Sequence, residues 1–230
     1  MTDRVRALLI GAKGRMGRTI IDLAKTDPKI EITGQCDLGD PIEPAMKNCD
    51  VAIDFSSASA IEEVCSAAVN GRTALVIGTT GHSSGQRQLI EKTAQSLPIV
   101  FASNFSVGVN ALFALTRRAA EILGEDFPAQ ITEIHHAKKK DAPSGTAKTL
   151  GEILKQAGKA DVSIQSIREG DVVGDHTVIF LGTEERLELT HRAGSREIFA
   201  RGSLRAAEWV VGKPAGLYSM QDVLGIVSTK

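Results

Sequence analysis

The chain has 230 residues, 42% of them hydrophobic and 24% charged, with a formal net charge of −1. That length supports a self-sufficient core in one large domain or two small ones, and the near-neutral charge argues against a general nucleic-acid surface. The cysteines Cys36, Cys49 and Cys65 are odd in number and form no CxxC pair. Neither a disulfide framework nor a zinc knot is expected, and a reducing cytoplasm fits best. The opening "MTDRVRALLIGAKGRMG" breaks its short apolar run with charge and glycine, so neither a signal peptide nor a membrane span is expected there.

In chain order, "RVRALLI" reads as a buried strand and "GRTIIDLAKT" as a helix. "IEITGQC" and "VAIDFS" are strands, "AIEEVCSAAVN" a helix, "TALVIG" a strand, "GQRQLIEKTAQSL" a helix and "IVFAS" a strand. This alternation predicts right-handed βαβ units around a parallel sheet. After Asn104 the texture changes. The helix "VNALFALTRRAAEIL" leads to "QITEIHH" and a second helix, "AKTLGEILKQA". Then "VSIQSIR", "HTVIFL", "ERLELTHR" and "REIFARG" follow as β-like runs without helices between them, which suggests a mixed or antiparallel sheet. A last helix, "LRAAEWVV", precedes the tail "GLYSMQDVLGI". The fold class is therefore an α/β nucleotide-type domain followed by an α+β domain, with a boundary near 105. Pattern alone does not say whether the tail returns to the first domain.

"LLIGAKGRMGRTII" sets Gly11, Gly14 and Gly17 between a strand and a helix. Small residues there let the backbone approach a pyrophosphate at the helix N-terminus. Compared with G-x-G-x-x-G the middle glycine is displaced and Lys13 holds its place. Asp37 lies at the end of the second strand, about 20 residues past Gly17, where an acidic residue meets the ribose hydroxyls. An ordinary glycine-rich turn with a solvated aspartate is the plain alternative. Two further loops, "VIGTTG" and "FASNFSVG", also follow strands, and ligands collect at the carboxyl ends of strands in such sheets.

The stretch "EIHHAKKKDAPSGTA" concentrates charge in an almost neutral chain. Within a continuous strand His135 and His136 would face opposite ways; both reach one cleft only if the strand ends there. No carboxylate or cysteine follows at metal-ligand spacing, so no metal is expected. Ser144, Gly145 and Thr146 open a helix, and its N-terminus suits a carboxylate or phosphate, although simple capping explains part of the pattern. A lysine run is usually a solvated face. Histidine and lysine beside a helix N-terminus, downstream of a dinucleotide fold, suit an anionic substrate and proton transfer better. A non-catalytic NADH sensor would need no such cluster, and a semialdehyde dehydrogenase would carry an activated cysteine.

Together with "GAKGRMG", "VIGTTG" and "NFSVGVN", that stretch resembles the 4-hydroxy-tetrahydrodipicolinate (dihydrodipicolinate) reductases nearly end to end. The resemblance implies a cytoplasmic, NAD(P)H-dependent enzyme of the diaminopimelate route to lysine, acting on a small cyclic dicarboxylate without nucleic-acid or membrane partners. It implies a Rossmann-like dinucleotide-binding domain at 1–105, with 204–230 returning to it, and a substrate-binding and oligomerisation domain at 106–203. His135 would exchange the proton with Lys139 as its catalytic partner. His136, Lys139, Ser144, Gly145 and Thr146 would grip the carboxylates. Gly11, Ala12, Lys13, Gly14, Arg15, Met16, Asp37, Gly78, Thr79, Thr80, Ala102, Ser103, Asn104 and Phe105 would hold the coenzyme. Leu38 stands where an arginine often follows the acidic residue, which favours NADH while NADPH is also accepted. The stretch "SIREGDVVGDH" is shorter than in many relatives, and a homo-oligomer, tetramer or dimer, is expected.

Overall fold

The computed structural model describes residues 4–226. In chain order the elements are β1 (Val5–Ile10), α1 (Arg15–Ala24), β2 (Ile30–Cys36), α2 (Ile42–Met46), β3 (Val51–Asp54), a 3-10 turn (Ala58–Ala60), α3 (Ile61–Gly71), β4 (Ala74–Ile77), α4 (Ser84–Thr93) and β5 (Pro98–Phe101). There follow α5 (Val107–Leu123), β6 (Ala129–His135), α6 (Gly145–Gln156), β7 (Ser163–Arg168), β8 (Asp175–Leu181), β9 (Arg186–Arg192), α7 (Glu197–Val210), β10 (Gly216–Tyr218) and α8 (Met220–Val223). They form two compact units. One runs up to Phe105 and resumes at Glu197; the other spans Ser106–Arg196.

The first unit holds a parallel sheet in the order β10-β5-β4-β3-β1-β2. Its inner strands "VAID" and "ALVI" are buried at every position, as strands covered on both faces must be. Alternate residues serve two apolar layers. Leu9, Ile53 and Val76 pack with Ile20 of α1 and with Leu204 and Val210 of α7. Leu8, Ala52 and Leu75 pack with Ile61 and Val64 of α3 and Ile90 of α4. The chain builds outward from β1 to β2 and then crosses back to β3, so the order reverses beside β1. The carboxyl ends of β1 and β3 flank that reversal, where such sheets take their ligands.

The second unit is a four-stranded sheet, β7-β6-β8-β9, parallel between β6 and β7 and antiparallel elsewhere. Helices α5 and α6 cover one face: Leu112, Phe113, Leu150 and Leu154 pack on Ile131, Val178 and Phe180. The opposite face carries Thr132, Ile134, Thr177, Ile179 and Leu181, all half-buried.

One sequence reading needs correction. "REIFARG" is not a strand; from Glu197 it forms the first turns of α7. Its β-branched and aromatic residues imitate a strand over so short a run. The buried set Ala200, Ser203, Leu204, Ala207 and Val210 has helical spacing instead. The second unit therefore closes at Arg196 rather than at 203, and all of α7 belongs to the first.

Candidate active site

In the first unit the glycines are fixed by close backbone approach. Gly11 has φ +85°, and a Cβ there would lie 2.4 Å from the Phe55 carbonyl oxygen. A Cβ on Gly17 would lie 2.3 Å from the Gly11 carbonyl oxygen. Only glycine allows this turn. Lys13, Gly14 and Arg15 are exposed, Met16 is half-buried, and Ala12 is packed away. Gly14 caps α1 without a side chain, so the first-turn N–H groups of that helix are left to other acceptors. The Asp37 carboxylate accepts from the Lys13 backbone N–H at 3.1 and 3.2 Å, and the Lys13 ammonium lies 3.9 Å away. Gly11, Gly14, Asp37, Leu38, Ser56 and Glu63 line a cleft of about 330 Å³.

The other two strand-end loops are tied in beneath. A Cβ on Gly78 would strike the Phe55 ring at 2.3 Å. Thr79 is buried; its hydroxyl accepts from the Ser56 N–H at 3.0 Å and donates to the Asp54 carbonyl at 3.4 Å. Thr80 and Ser103 are exposed, while Ala102 and Asn104 are half-buried. Phe105 is 2% exposed and its ring sits 5.7 Å from that of Phe55. The side chains of Ala12 and Phe105 are core residues. All three cysteines are unpaired and buried. Burial pushes their thiols up, that of Cys49 to about 11, the reverse of an activated nucleophile.

In the second unit β6 ends at His135, so His136 lies beyond the strand and escapes its alternation. Glu133 and His135 share the helix-covered face of β6, because residues two apart in a strand face one way. Register brings the rest. His176 of β8 lies directly opposite Glu133, and Arg168 of β7 pairs with His135. Arg168 donates to both Glu133 carboxylate oxygens at 2.8 and 3.0 Å, and the Ser144 N–H donates at 3.3 Å. Glu133 also makes a short hydrogen bond with Nδ1 of His135. Burial alone would raise the pKa of Glu133, but bonds from Arg168, Ser166 and His135 hold it down at about 2. Burial lowers the His135 pKa, against the opposing pull of Glu133, and lowers that of His176 to about 4.

Ser144 caps α6, its hydroxyl accepting from the Ala147 N–H at 3.2 Å and meeting His176 Nε2 at the same distance. Gly145 and Thr146 form the first turn of α6. Lys139 is half-buried and donates to both oxygens of Asp141 at 2.8 Å, whereas Lys138 and Lys140 point into solvent. The lysine run is therefore mostly a solvated face, with one member turned inward.

Ligand atoms of Glu133, His135 and His176 lie within 4.8 Å of one another, a grouping that linear spacing did not suggest. The Arg168 fork already neutralises Glu133, and a metal cation there would sit beside a guanidinium. Proton handling fits these residues better. Glu133 was legible in principle as the residue two before His135, but Arg168 and His176 carry no local signal. A Cβ on Gly174 would lie 2.9 Å from His135 Nε2, so that glycine too belongs to the site.

Residues 5–105 match the family model "Dihydrodipicolinate reductase, N-terminus", and 108–224 match its C-terminus counterpart. A 4-hydroxy-tetrahydrodipicolinate reductase of Akkermansia muciniphila is 48% identical, covering 96% of this chain and 98% of its own. One of Geobacter metallireducens is 40% identical, covering 96% and 99%. A dipicolinate-bound dihydrodipicolinate reductase from Paenisporosarcina sp. TG-14 shares the fold at TM-score 0.82 and 19% identity, over 96% of this chain and 99% of that one. With both halves matched and relatives at such identity along nearly its whole length, the chain belongs to the dihydrodipicolinate reductase family.

Proposed function

We propose that this chain reduces 4-hydroxy-tetrahydrodipicolinate to tetrahydrodipicolinate with NAD(P)H, in the diaminopimelate route to lysine. The observation that carries the reading is a buried imidazole, His135, held on the carboxylate of Glu133 two residues before it, at the strand end that leads into the lysine loop and the Ser144-capped helix. Replacing a hydroxyl by hydrogen consumes one hydride and one proton and releases water. The coenzyme supplies the hydride. The first unit's glycine loop would take the pyrophosphate on α1 and Asp37 the adenosine ribose.

His135 would deliver the proton from Nε2. Burial first, and then Lys139 and Arg168, disfavour its charged form. A dianionic substrate reverses that bias and raises its proton affinity where it is needed. Lys139 leaves Asp141 to partner the substrate. His136, Ser144, Gly145 and Thr146 take the carboxylates, supported by the positive end of α6. NADH is favoured over NADPH, and the protein works as a homo-oligomer. Three unpaired cysteines support a reducing, cytoplasmic setting; no helix among the described residues is long and apolar enough to cross a membrane.

The test is a coupled assay in which a synthase generates the substrate and coenzyme oxidation is followed. Oxidation is expected with both coenzymes, and none with either one sinks the reading. His135→Gln should lower turnover by roughly 10² to 10⁴, the worth of a positioned acid–base group. Unchanged turnover in that variant removes His135 from the proton step.

A further inference from the structure

We propose that Glu133 is a positioning residue for the reduction: locked by Arg168, it fixes the His135 proton on Nδ1 and leaves Nε2 as the nitrogen that serves the substrate. The proposal rests on the reductase reading above. Glu133 is fully buried. An ionised carboxylate can only accept, so the His135 nitrogen facing it must be the donor. Its oxygens are not equivalent. Oε1 accepts from Arg168 and from the Ser144 N–H; Oε2 accepts from Arg168 and from His135. The other edge of the imidazole turns toward Gly174, where even a methyl group would crowd Nε2.

The groups around His135 come from each neighbouring element. Arg168 reaches in from β7, and His176 of β8 stands edge-on with ring centroids 5.1 Å apart. Ser144 caps α6 beside them, and Lys139 and Asp141 lie in the loop between. Among these, Glu133 is the group bonded to Nδ1.

Glu133→Gln tests the idea with almost no change of shape. The glutamine oxygen will take the Oε1 place, where neither the Arg168 nor the Ser144 donor can become an acceptor, and its NH2 will take the Oε2 place, where His135 can. That NH2 faces Nδ1 and forces it to accept, which moves the proton to Nε2. Such a tautomer cannot pass a proton from Nε2 and return to a stable neutral ring, the same logic by which a wrong histidine tautomer disables other acid–base enzymes.

We expect kcat of Glu133→Gln to fall to about the level of His135→Gln, a loss of roughly 10² to 10⁴, with the KM for NADH essentially unmoved. The Glu133→Gln/His135→Gln double variant should be no slower than His135→Gln alone, because groups acting as a unit are not additive. Near-normal turnover in Glu133→Gln overturns the proposal, and so does a double variant slower by the product of the single effects. Nitrogen-15 NMR of the unmodified protein gives a second route that needs no variant to fold. It should find the single proton of the neutral His135 ring on Nδ1, and a neutral ring protonated on Nε2 instead would overturn the assignment. Inactivity of the unmodified enzyme would instead sink the reductase reading and leave the tautomer measurement standing.

Discussion

On the proposed reading, coenzyme choice should follow from the charges around Asp37 in the first unit's cleft. Asp37 is pinned by the Lys13 N–H, and Asp40 and Glu63 line the same cleft. The 2′-phosphate of NADPH carries about −1.5 to −2 charges. At a separation of roughly 5 Å with water-like screening, each unit-charge pair is worth about 0.8 kcal/mol, so Asp37 alone repels the phosphate by about 1.2–1.7 kcal/mol. NADPH also forfeits a ribose hydroxyl bond to a charged acceptor, about 1.5 kcal/mol. The Lys13 ammonium, 3.9 Å from Asp37 and highly exposed, returns roughly 1–2 kcal/mol as a mobile point charge. The balance is near 1.4 kcal/mol, about tenfold in favour of NADH. Asp37→Asn keeps an acceptor for the Lys13 N–H but removes the repulsion, so the gap should close to within about twofold. Lys13→Ala should widen it. Steady-state kcat/KM for both coenzymes, at low and high salt, measures this; screening should shrink the preference as the Debye length falls to about 3 Å at 1 M. A preference for NADPH in the unmodified protein, or an unmoved ratio in Asp37→Asn, refutes the reasoning.

Gly11→Ala meets both a left-handed φ and a backbone oxygen at 2.4 Å and should cost roughly 2–5 kcal/mol. Gly39→Ala, also at positive φ but with open space around it, should cost only about 1–2 kcal/mol, and thermal midpoints compare the two. The Glu133 carboxyl is held at about 2, below its ordinary 4.5. Its contribution, of order 3 kcal/mol, is present above pH 4.5 and lost as pH falls toward 2. Denaturant midpoints at pH 5 and pH 2.5 should therefore differ more in the unmodified protein than in Glu133→Gln, and equal differences would count against the ion pair. The half-buried face of the second sheet, with Ile134, Ile179 and Leu181, should pair with another copy. Light scattering is expected to give a dimer or tetramer mass at micromolar concentration, and a monomer mass would reject it.

The strands of the first unit were plain in the sequence because buried parallel strands are continuous apolar runs cut off by glycine or polar turns, as "VAID" and "ALVI" are. The helix α2 was not legible: Ile42–Met46 is a single turn with a proline inside it, too short to show a period. The start of α7 was hidden because "EIFA" satisfies strand and helix preferences equally. In the site, His135, Ser144 and Lys139 lie in one quotable segment. Arg168 and His176 join it only through the pairing of β6 with β7 and β8. Cross-strand register is a property of the folded sheet, and a slip of one residue would turn both side chains to the other face. No local pattern announces that, which is why Arg168 and His176 stayed unread, whereas Glu133, two residues before His135 on the same strand, needed only the strand's alternation.

The interruption of the first unit by the second has a consequence for synthesis. Leu204, Ala207 and Val210 of α7 are part of the layer that covers Leu9, Ile53 and Val76, and β10 covers the edge of β5. While a ribosome is still translating the intervening stretch, those strands have already emerged with one apolar face only part-covered, by α1, and one edge bare. The contiguous second unit can fold as soon as its own residues are out. The dinucleotide unit must wait, exposed, until the chain has been extended past Tyr218. A nascent chain stalled between 106 and 196 should therefore be the species most prone to chaperone capture and aggregation.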